Sequence, residues 1–391
     1  MVAVSTLFWS ATIGVAAEPR TIALFDGKTL DGWKRVNGSA TYHVEDECIV
    51  GVVDPASKQN TFLRTEKSYR NFRLELDAKL DIAGNSGMQF RSHQKPGENG
   101  RVFGYQCEID PLPRAWTAGI YDEARRGWLF NLENHPEARK ALKLTEWNHF
   151  VIEAIGPHIK TTLNGIPCAD LLDAADDEGF IALQVHAGKA GQIRWKNILL
   201  TEYPDSAWQS LTDGKTLAGW TPSGGGKWTM ADGMIEGKSS TTETKHGHLF
   251  TDAMFADFAV RLKFQANHGD SGLYIRAEEG GKSGVRGLQA NIDPEKDCGG
   301  LYEIDGRGWL ARPKPEDLKK WLKPHAWNEL AVIAIGGRVV VTLNGYKTAE
   351  IADAGGKPGG RLALQVHAGQ DVDVRFKEME VLKLDGLSPN R

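Results

Sequence analysis

Polar side chains of types suited to proton transfer recur at alternate positions inside short apolar stretches. In Tyr105-Gln106-Cys107-Glu108-Ile109-Asp110, Gln106, Glu108 and Asp110 share one side, opposite Tyr105, Cys107 and Ile109. In Met88-Gln89-Phe90-Arg91, Gln89 and Arg91 oppose Met88 and Phe90, and in Ile181-Ala182-Leu183-Gln184-Val185-His186, Gln184 and His186 oppose the apolar set. A carboxylate or an imidazole can be tuned by its surroundings to exchange protons near neutrality, and a guanidinium can hold a developing oxyanion. Glu108, His186, Arg91, Asp110 and Tyr121 are therefore the catalytic candidates. Gln89, Gln106, Gln184, Glu123, Arg126 and Trp128 are the candidate binding groups; Tyr121, Glu123, Arg126 and Trp128 fall in a Gly-bounded stretch read as a rim loop, and Trp116 and Trp128 offer flat stacking surfaces. Glu108, Asp110 and His186 would also form a hard-ligand set for a divalent cation such as Ca²⁺ or Mn²⁺, although no His-x₃-His spacing fixes one. The four cysteines, Cys48, Cys107, Cys168 and Cys298, have no CxxC spacing and read as buried thiols rather than a zinc site.

Period-2 alternation is what places these groups, and it identifies half-buried antiparallel strands. Phe72, Leu74, Leu76, Ala78 and Leu80 alternate with polar residues, and the stretches 150–155, 159–163 and 181–185 behave alike. Asn164-Gly165 and Asn344-Gly345 are hairpin dipeptides, both residues tolerating the positive φ of a primed turn. Helical pattern is confined to 136–144 and 315–322.

The chain is written twice. Asp26-Gly27-Lys28-Thr29-Leu30-Asp31-Gly32-Trp33 returns as Asp213-Gly214-Lys215-Thr216-Leu217-Ala218-Gly219-Trp220. Ser86-Gly87 to Arg91 returns as Ser271-Gly272 to Arg276, Ile109-Asp110-Pro111 as Ile292-Asp293-Pro294, and Leu183-Gln184-Val185-His186-Ala187-Gly188 as Leu364-Gln365-Val366-His367-Ala368-Gly369. Repeats of this length are whole domains, predicted at 18–204 and 205–391 with the boundary near Tyr203-Pro204-Asp205. The fold class expected is all-β: two tandem jelly-roll β-sandwich domains with few short helices. The second half offers Arg276, Asn291, Asp293, Tyr302, Arg307 and His367 as candidate binding groups, but Glu108 has become Asn291 and Tyr105 has become Leu288.

Composition bounds the partners. With 391 residues, 47 Lys+Arg against 51 Asp+Glu give a net charge of −4, so no basic excess is present to neutralise nucleic-acid phosphates. Hydrophobic residues at 41% and charged residues at 25% are those of a folded chain. Residues 1–17 are apolar and uncharged and end in Val15-Ala16-Ala17, which reads as a cleaved export signal without a basic n-region. The expected location is periplasmic or extracellular, with no membrane-spanning segment in the mature chain.

The ordered set Asp-Gly-Lys-Thr-Leu-x-Gly-Trp, Ser-Gly-x-x-x-Arg, Gly-Tyr-Gln-x-Glu-Ile-Asp-Pro, Gly-Ile-Tyr-Asp-Glu, Trp-Asn, Leu-Asn-Gly and Leu-Gln-x-His-x-Gly resembles the 3-keto-disaccharide hydrolase domain family over both halves. The resemblance implies a concanavalin-like jelly roll, export, and cleavage of glycosides already oxidised at C3, by hydrolysis or by elimination and hydration. It implies an oligosaccharide or 3-keto-glycoside as the ligand, and the departures at Asn291 and Leu288 point to the first domain as catalytic and the second as a diverged copy with a binding or weakened site. Two other readings stand beside it. A conventional retaining glycosidase of this fold needs paired carboxylates about 5–5.5 Å apart, whereas two strand steps span about 6.8 Å and Gln106 occupies one carboxylate position. A non-catalytic tandem carbohydrate-binding protein would use its two copies for avidity.

Overall fold

The computed structural model describes residues 18–384 apart from 98–99, 206, 353 and 356. The export signal expected over residues 1–17 lies outside the described residues. Each half folds as a sandwich of two antiparallel sheets, an all-β jelly-roll architecture as the alternation predicts. In the first half one sheet runs, in spatial order, Ile166–Leu172, His158–Leu163, Asn148–Ile155, Phe72–Ile82, Gln192–Glu202, Cys48–Val52 and Thr41–Glu45, with Arg20–Ala23 added on Gln192–Glu202. The facing sheet runs Gly127–Phe130, Ile120–Glu123, Val102–Ile109, Ser86–Gln94, Gly179–Val185, Thr61–Tyr69 and Trp33–Asn37. The second half repeats this order strand for strand, from Gly308–Ala311 through Leu301–Glu303, Val285–Ile292, Ser271–Glu279, Gly360–Val366 and Gly247–Phe255 to Trp220–Gly224.

The core lies between the sheets. Phe72, Leu74, Leu76, Ala78 and Leu80 point inward in the predicted alternation and meet Met88, Phe90, Tyr105, Cys107, Ile181 and Leu183 from the other sheet. Each fully buried large apolar side chain contributes about 1.5–3 kcal/mol. Among the described residues helix is limited to Pro136–Arg139 and Pro315–Trp321, both inside the stretches of helical pattern. All four cysteines are free and buried. Among the described residues no helix is long and apolar enough to cross a membrane.

The second sheet departs from a half-solvated sandwich. Ser86 through Ser92 are all buried, as are Gly179–Val185 and Gly104 through Ile109. The polar face on which the candidate residues sit is therefore covered, and its side chains must satisfy one another. Contacts between the halves include an apolar cluster joining Leu172 to Ala259, Ile333, Val340, Leu382 and Leu384, and the Arg338 guanidinium on the Asp170 carboxylate at 2.5 Å.

Candidate functional site

Glu108 is the centre of the polar face. It is only 4% exposed, and its two oxygens accept from Asn85 Nδ2 at 2.5 Å and from Gln106 Nε2 at 2.6 Å. Burial pushes its carboxyl up to about 7, against those two hydrogen bonds, which act to lower it. Gln106 is held in turn: its Oε1 accepts from Gln89 Nε2 at 2.6 Å and Gln184 Nε2 at 2.9 Å, while Gln89 Oε1 accepts from the Ser92 hydroxyl at 2.7 Å. A carboxylate accepts only, so Glu108 fixes the direction of this amide chain. The glycine of the Ser-Gly motif makes room for it: a Cβ on Gly87 would lie 2.7 Å from the Gln106 side chain.

Glu108 opens into a cleft of about 440 Å³ lined by Asn60, Asn85, Arg101, Gln106, Leu112, Arg114, Tyr121, Glu123, Trp128, Gln184 and His186. His186 Nδ1 donates to the Ala187 carbonyl at 2.7 Å, which leaves the lone pair of the neutral ring on Nε2. Tyr121 meets Trp128 edge to face with centroids 5.3 Å apart, and Trp116 packs on Trp128 at 4.9 Å. Burial raises both the Tyr121 phenol and the Glu123 carboxyl, and Arg101 and His186 partly offset the rise at Glu123. Gln184 Oε1 is buried with no partner, an acceptor free for a ligand hydroxyl. A second cleft of about 360 Å³, lined by Asn37, Lys58 and Gln59, shares Asn60, Arg101 and Glu123 with the first.

The structure thus brings Glu108, His186, Tyr121, Glu123, Trp128, Gln106 and Gln184 together, with Gln89 behind them. Three other expectations need correction. Arg91 is absent from the cleft. A β-bulge interrupts the pairing of Ser86–Gln94 between Phe90 and His93, Arg91 has φ 45°, and its buried guanidinium donates to the carbonyls of Gly156 (2.6 Å), Arg70 (2.8 Å) and Ala154 (2.9 Å). Asp110 turns into the loop 110–117, its carboxylate accepting from Arg114 Nε at 2.5 Å and Leu112 N at 3.2 Å. Arg126, with a side chain 5% exposed, faces the other half: it pairs with Asp122 and Asp173 and donates to the Gly345 carbonyl at 2.7 Å. With Asp110 withdrawn, the Glu108–Asp110–His186 ligand set does not assemble, and among the described residues no group of three His, Cys, Asp or Glu side chains is placed to hold a metal ion.

Asn60, Asn85, Arg101 and Arg114 were not anticipated. Asn85 stands immediately before the Ser-Gly motif and was legible from the repeat, since its counterpart is Asp270. Arg114 stacks over Trp128 at 5.1 Å while bonded to Asp110 four residues before it, a loop contact that strand alternation does not reveal.

In the second half, Tyr302 meets Trp309 edge to face at 5.1 Å and His367 Nδ1 donates to the Ala368 carbonyl at 2.6 Å, repeating the first half. Asn291 is buried at 7% exposure in the place of Glu108. Arg276, Asp293 and Arg307 are not arranged as binding groups. Arg276 (φ 48°) donates to the Ala256 and Gly336 carbonyls, Asp293 accepts from the backbone N–H groups of Glu295 and Lys296, and Arg307 is held by Glu303 and the Ala354 carbonyl.

No curated protein matches the chain significantly. Solved structures similar to one half include a Parabacteroides distasonis protein provisionally assigned as a glycosyl hydrolase (22% identity, TM-score 0.35, covering 46% of this chain and 94% of that one). Carbohydrate binding module CBM66 from Bacillus subtilis is another (19%, TM-score 0.35, 42% and 96%), as is a Bacillus subtilis protein of galectin-like fold (15%, TM-score 0.34, 45% and 98%). A family model described as the 3-keto-alpha-glucoside-1,2-lyase-like domain matches residues 20–201 and again 207–382. The chain belongs to this 3-keto-disaccharide hydrolase domain family, of which it carries two copies in tandem.

Proposed function

We propose that the first domain cleaves 3-keto-glycosides by elimination followed by hydration, in the cleft between Glu108 and His186. The carrying observation is a buried carboxyl tuned to about 7 facing a cavity with an imidazole and an aromatic wall. A ketone at C3 acidifies the C2 proton. Glu108 takes that proton, the enolate expels the C1 oxygen, and the leaving group picks up a proton, giving an enone to which water then adds at C1. Glu108 is the deeper group, among amides that hold its geometry, and so serves the ring carbon. His186 acts beside Glu123, which lines both clefts, and so serves the leaving group. Arg101 and Arg114 supply positive charge for the enolate in place of Arg91. Trp128 and Tyr121 bracket the sugar face. The protein is proposed to work after export.

The test is product release from 3-keto-trehalose. Wild type should turn it over, Glu108→Gln should bind it without releasing product, and His186→Ala should lose most of kcat. Saturable binding with no turnover by the wild type would refute the enzymatic reading in favour of a binding protein.

A further inference from the structure

The second domain differs from the first by an exchange rather than by decay. The strand-end pair Asn85/Glu108 has become Asp270/Asn291, so the amide and the carboxylate have swapped positions. The register is otherwise unchanged: Gly87 pairs with Glu108 and Gly272 with Asn291. The combined side chains are one methylene shorter, and they no longer lock each other. Asp270 Oδ1 is buried with no hydrogen-bond partner, whereas both Glu108 oxygens are occupied.

The amide chain has also reversed. Tyr274 stands where Gln89 was, and its hydroxyl donates to Gln289 Oε1 at 3.3 Å. Gln289 Nε2 therefore faces Gln365 Oε1 at 2.7 Å and the Ser271 carbonyl at 3.1 Å, instead of the position of residue 291. A carboxylate at 291 would have lost its donor, and the acid stands one strand away.

Other groups on this sheet of the second half suit a ligand. The His367 backbone N–H donates to the Asp270 carbonyl at 3.2 Å, and the His246 and His367 rings meet at 4.3 Å. His246 Nδ1 accepts from Ala368 N at 3.1 Å, the bond that Asn60 Oδ1 makes to Ala187 N in the first domain. His248, 1% exposed and paired in register with Gln365, has an unpartnered Nε2. Trp309 is 38% exposed, under the Arg312 guanidinium at 4.9 Å. Buried orphan polar atoms are costly in an empty fold and are satisfied by a ligand carrying hydroxyls, and Trp309 stands against Tyr302 as Trp128 stands against Tyr121 in the first-domain cleft.

We propose that the second domain carries a saccharide site of its own, in which Asp270 replaces Glu108 as the carboxylate, His246 and His367 flank it, and Trp309 stacks on the sugar. Asp270 Oδ1 accepts from a sugar hydroxyl there. This goes beyond the proposed activity and shares with it only the ligand class.

The experiment titrates trehalose and 3-keto-trehalose into the full-length chain carrying Glu108→Gln, by calorimetry. Two sites per chain are expected, one of which weakens at least tenfold on adding Asp270→Asn or, separately, Trp309→Ala, with thermal unfolding confirming that each variant is folded. No site, or sites all indifferent to both substitutions, overturns the proposal; a single site that weakens with them still supports it. The first-domain reading is judged separately, by product release from the chain in which Glu108 is intact, so either proposal can fail without the other.

Discussion

Replacing Glu108 by Gln should do more than stop turnover: it should change how stability depends on pH. The Glu108 carboxyl moves from 4.5 to about 7 on folding, chiefly by burial at 4% exposure. Between those two pH values the folded state holds a proton that the unfolded state has lost, so stability falls as pH rises through the window. At 1.36 kcal/mol per pH unit the full effect is about 3 kcal/mol, absent below pH 4.5 and complete above pH 7. Glutamine cannot ionise, so the variant lacks this loss. It has its own cost, since whichever way its amide turns, its NH₂ meets the NH₂ of Asn85 or of Gln106 where a carboxylate oxygen accepted a bond. That cost is about 1–3 kcal/mol and independent of pH. The difference in unfolding free energy between Glu108→Gln and wild type, measured by urea denaturation at pH 4.5 and pH 8, should therefore shift by about 3 kcal/mol in favour of the variant at the higher pH. A difference that stays constant across the range, or moves the other way, would mean that Glu108 is not a desolvated acid and has no special reason to exchange protons near neutrality.

Arg91→Ala should cost about 3–5 kcal/mol of stability, because it leaves buried carbonyls of Ala154 and Gly156 without their donor; the milder Arg91→Lys should lower Tm while leaving KM unchanged. Arg126→Ala should likewise lower Tm without raising KM, since it strips a cation from buried Asp122 and Asp173 rather than from substrate; a KM change with unaltered Tm would restore it to the site. Trp128→Ala should raise KM roughly tenfold, the loss of about 1–1.5 kcal/mol of ring contact, and lower Tm as well, because its packing on Trp116, Tyr121 and Arg114 is lost.

The fold was legible because hydrophobic alternation and a repeat are properties of many residues at once. Phe72 through Leu80 alternate over a whole strand, and no single side chain could have disguised that. The site was legible only as far as alternation holds. Gln89, Gln106, Glu108 and Gln184 obey it. Arg91 and Arg276 do not, because a bulge adds one residue and turns the next side chain to the other face, and a bulge carries no compositional mark here. Asp110 and Asp293 failed for another reason: each stands at a strand end before proline, where a carboxylate can cap a turn as readily as face a ligand. Asn85 was missed because an amide has no proton to exchange and drew no attention beside Glu108.

Glutamine at position 106, rather than the carboxylate a glycosidase strand would carry there, follows from the physics of a covered face. A second carboxylate two residues from Glu108 would add a like charge inside a buried layer and offer no hydrogen to share. Gln106 offers one, and both of its ends are committed: Oε1 is saturated by Gln89 and Gln184, so Nε2 has only the Glu108 oxygen to face. The amide cannot flip without breaking bonds on both sides. The chain from Ser92 through Gln89 to Gln106 therefore holds Glu108 still at no cost in charge, and leaves burial free to set its affinity for a proton. The same sheet in the second half, with Tyr274 for Gln89, aims its amide elsewhere, and the carboxylate at that position is gone. Two substitutions in the supporting layer, Tyr274 for Gln89 and Ala277 for Ser92, thus accompany the exchange of residues at the surface of the site, which is what is expected if the layer, rather than the strand scaffold alone, decides where an acid can be held.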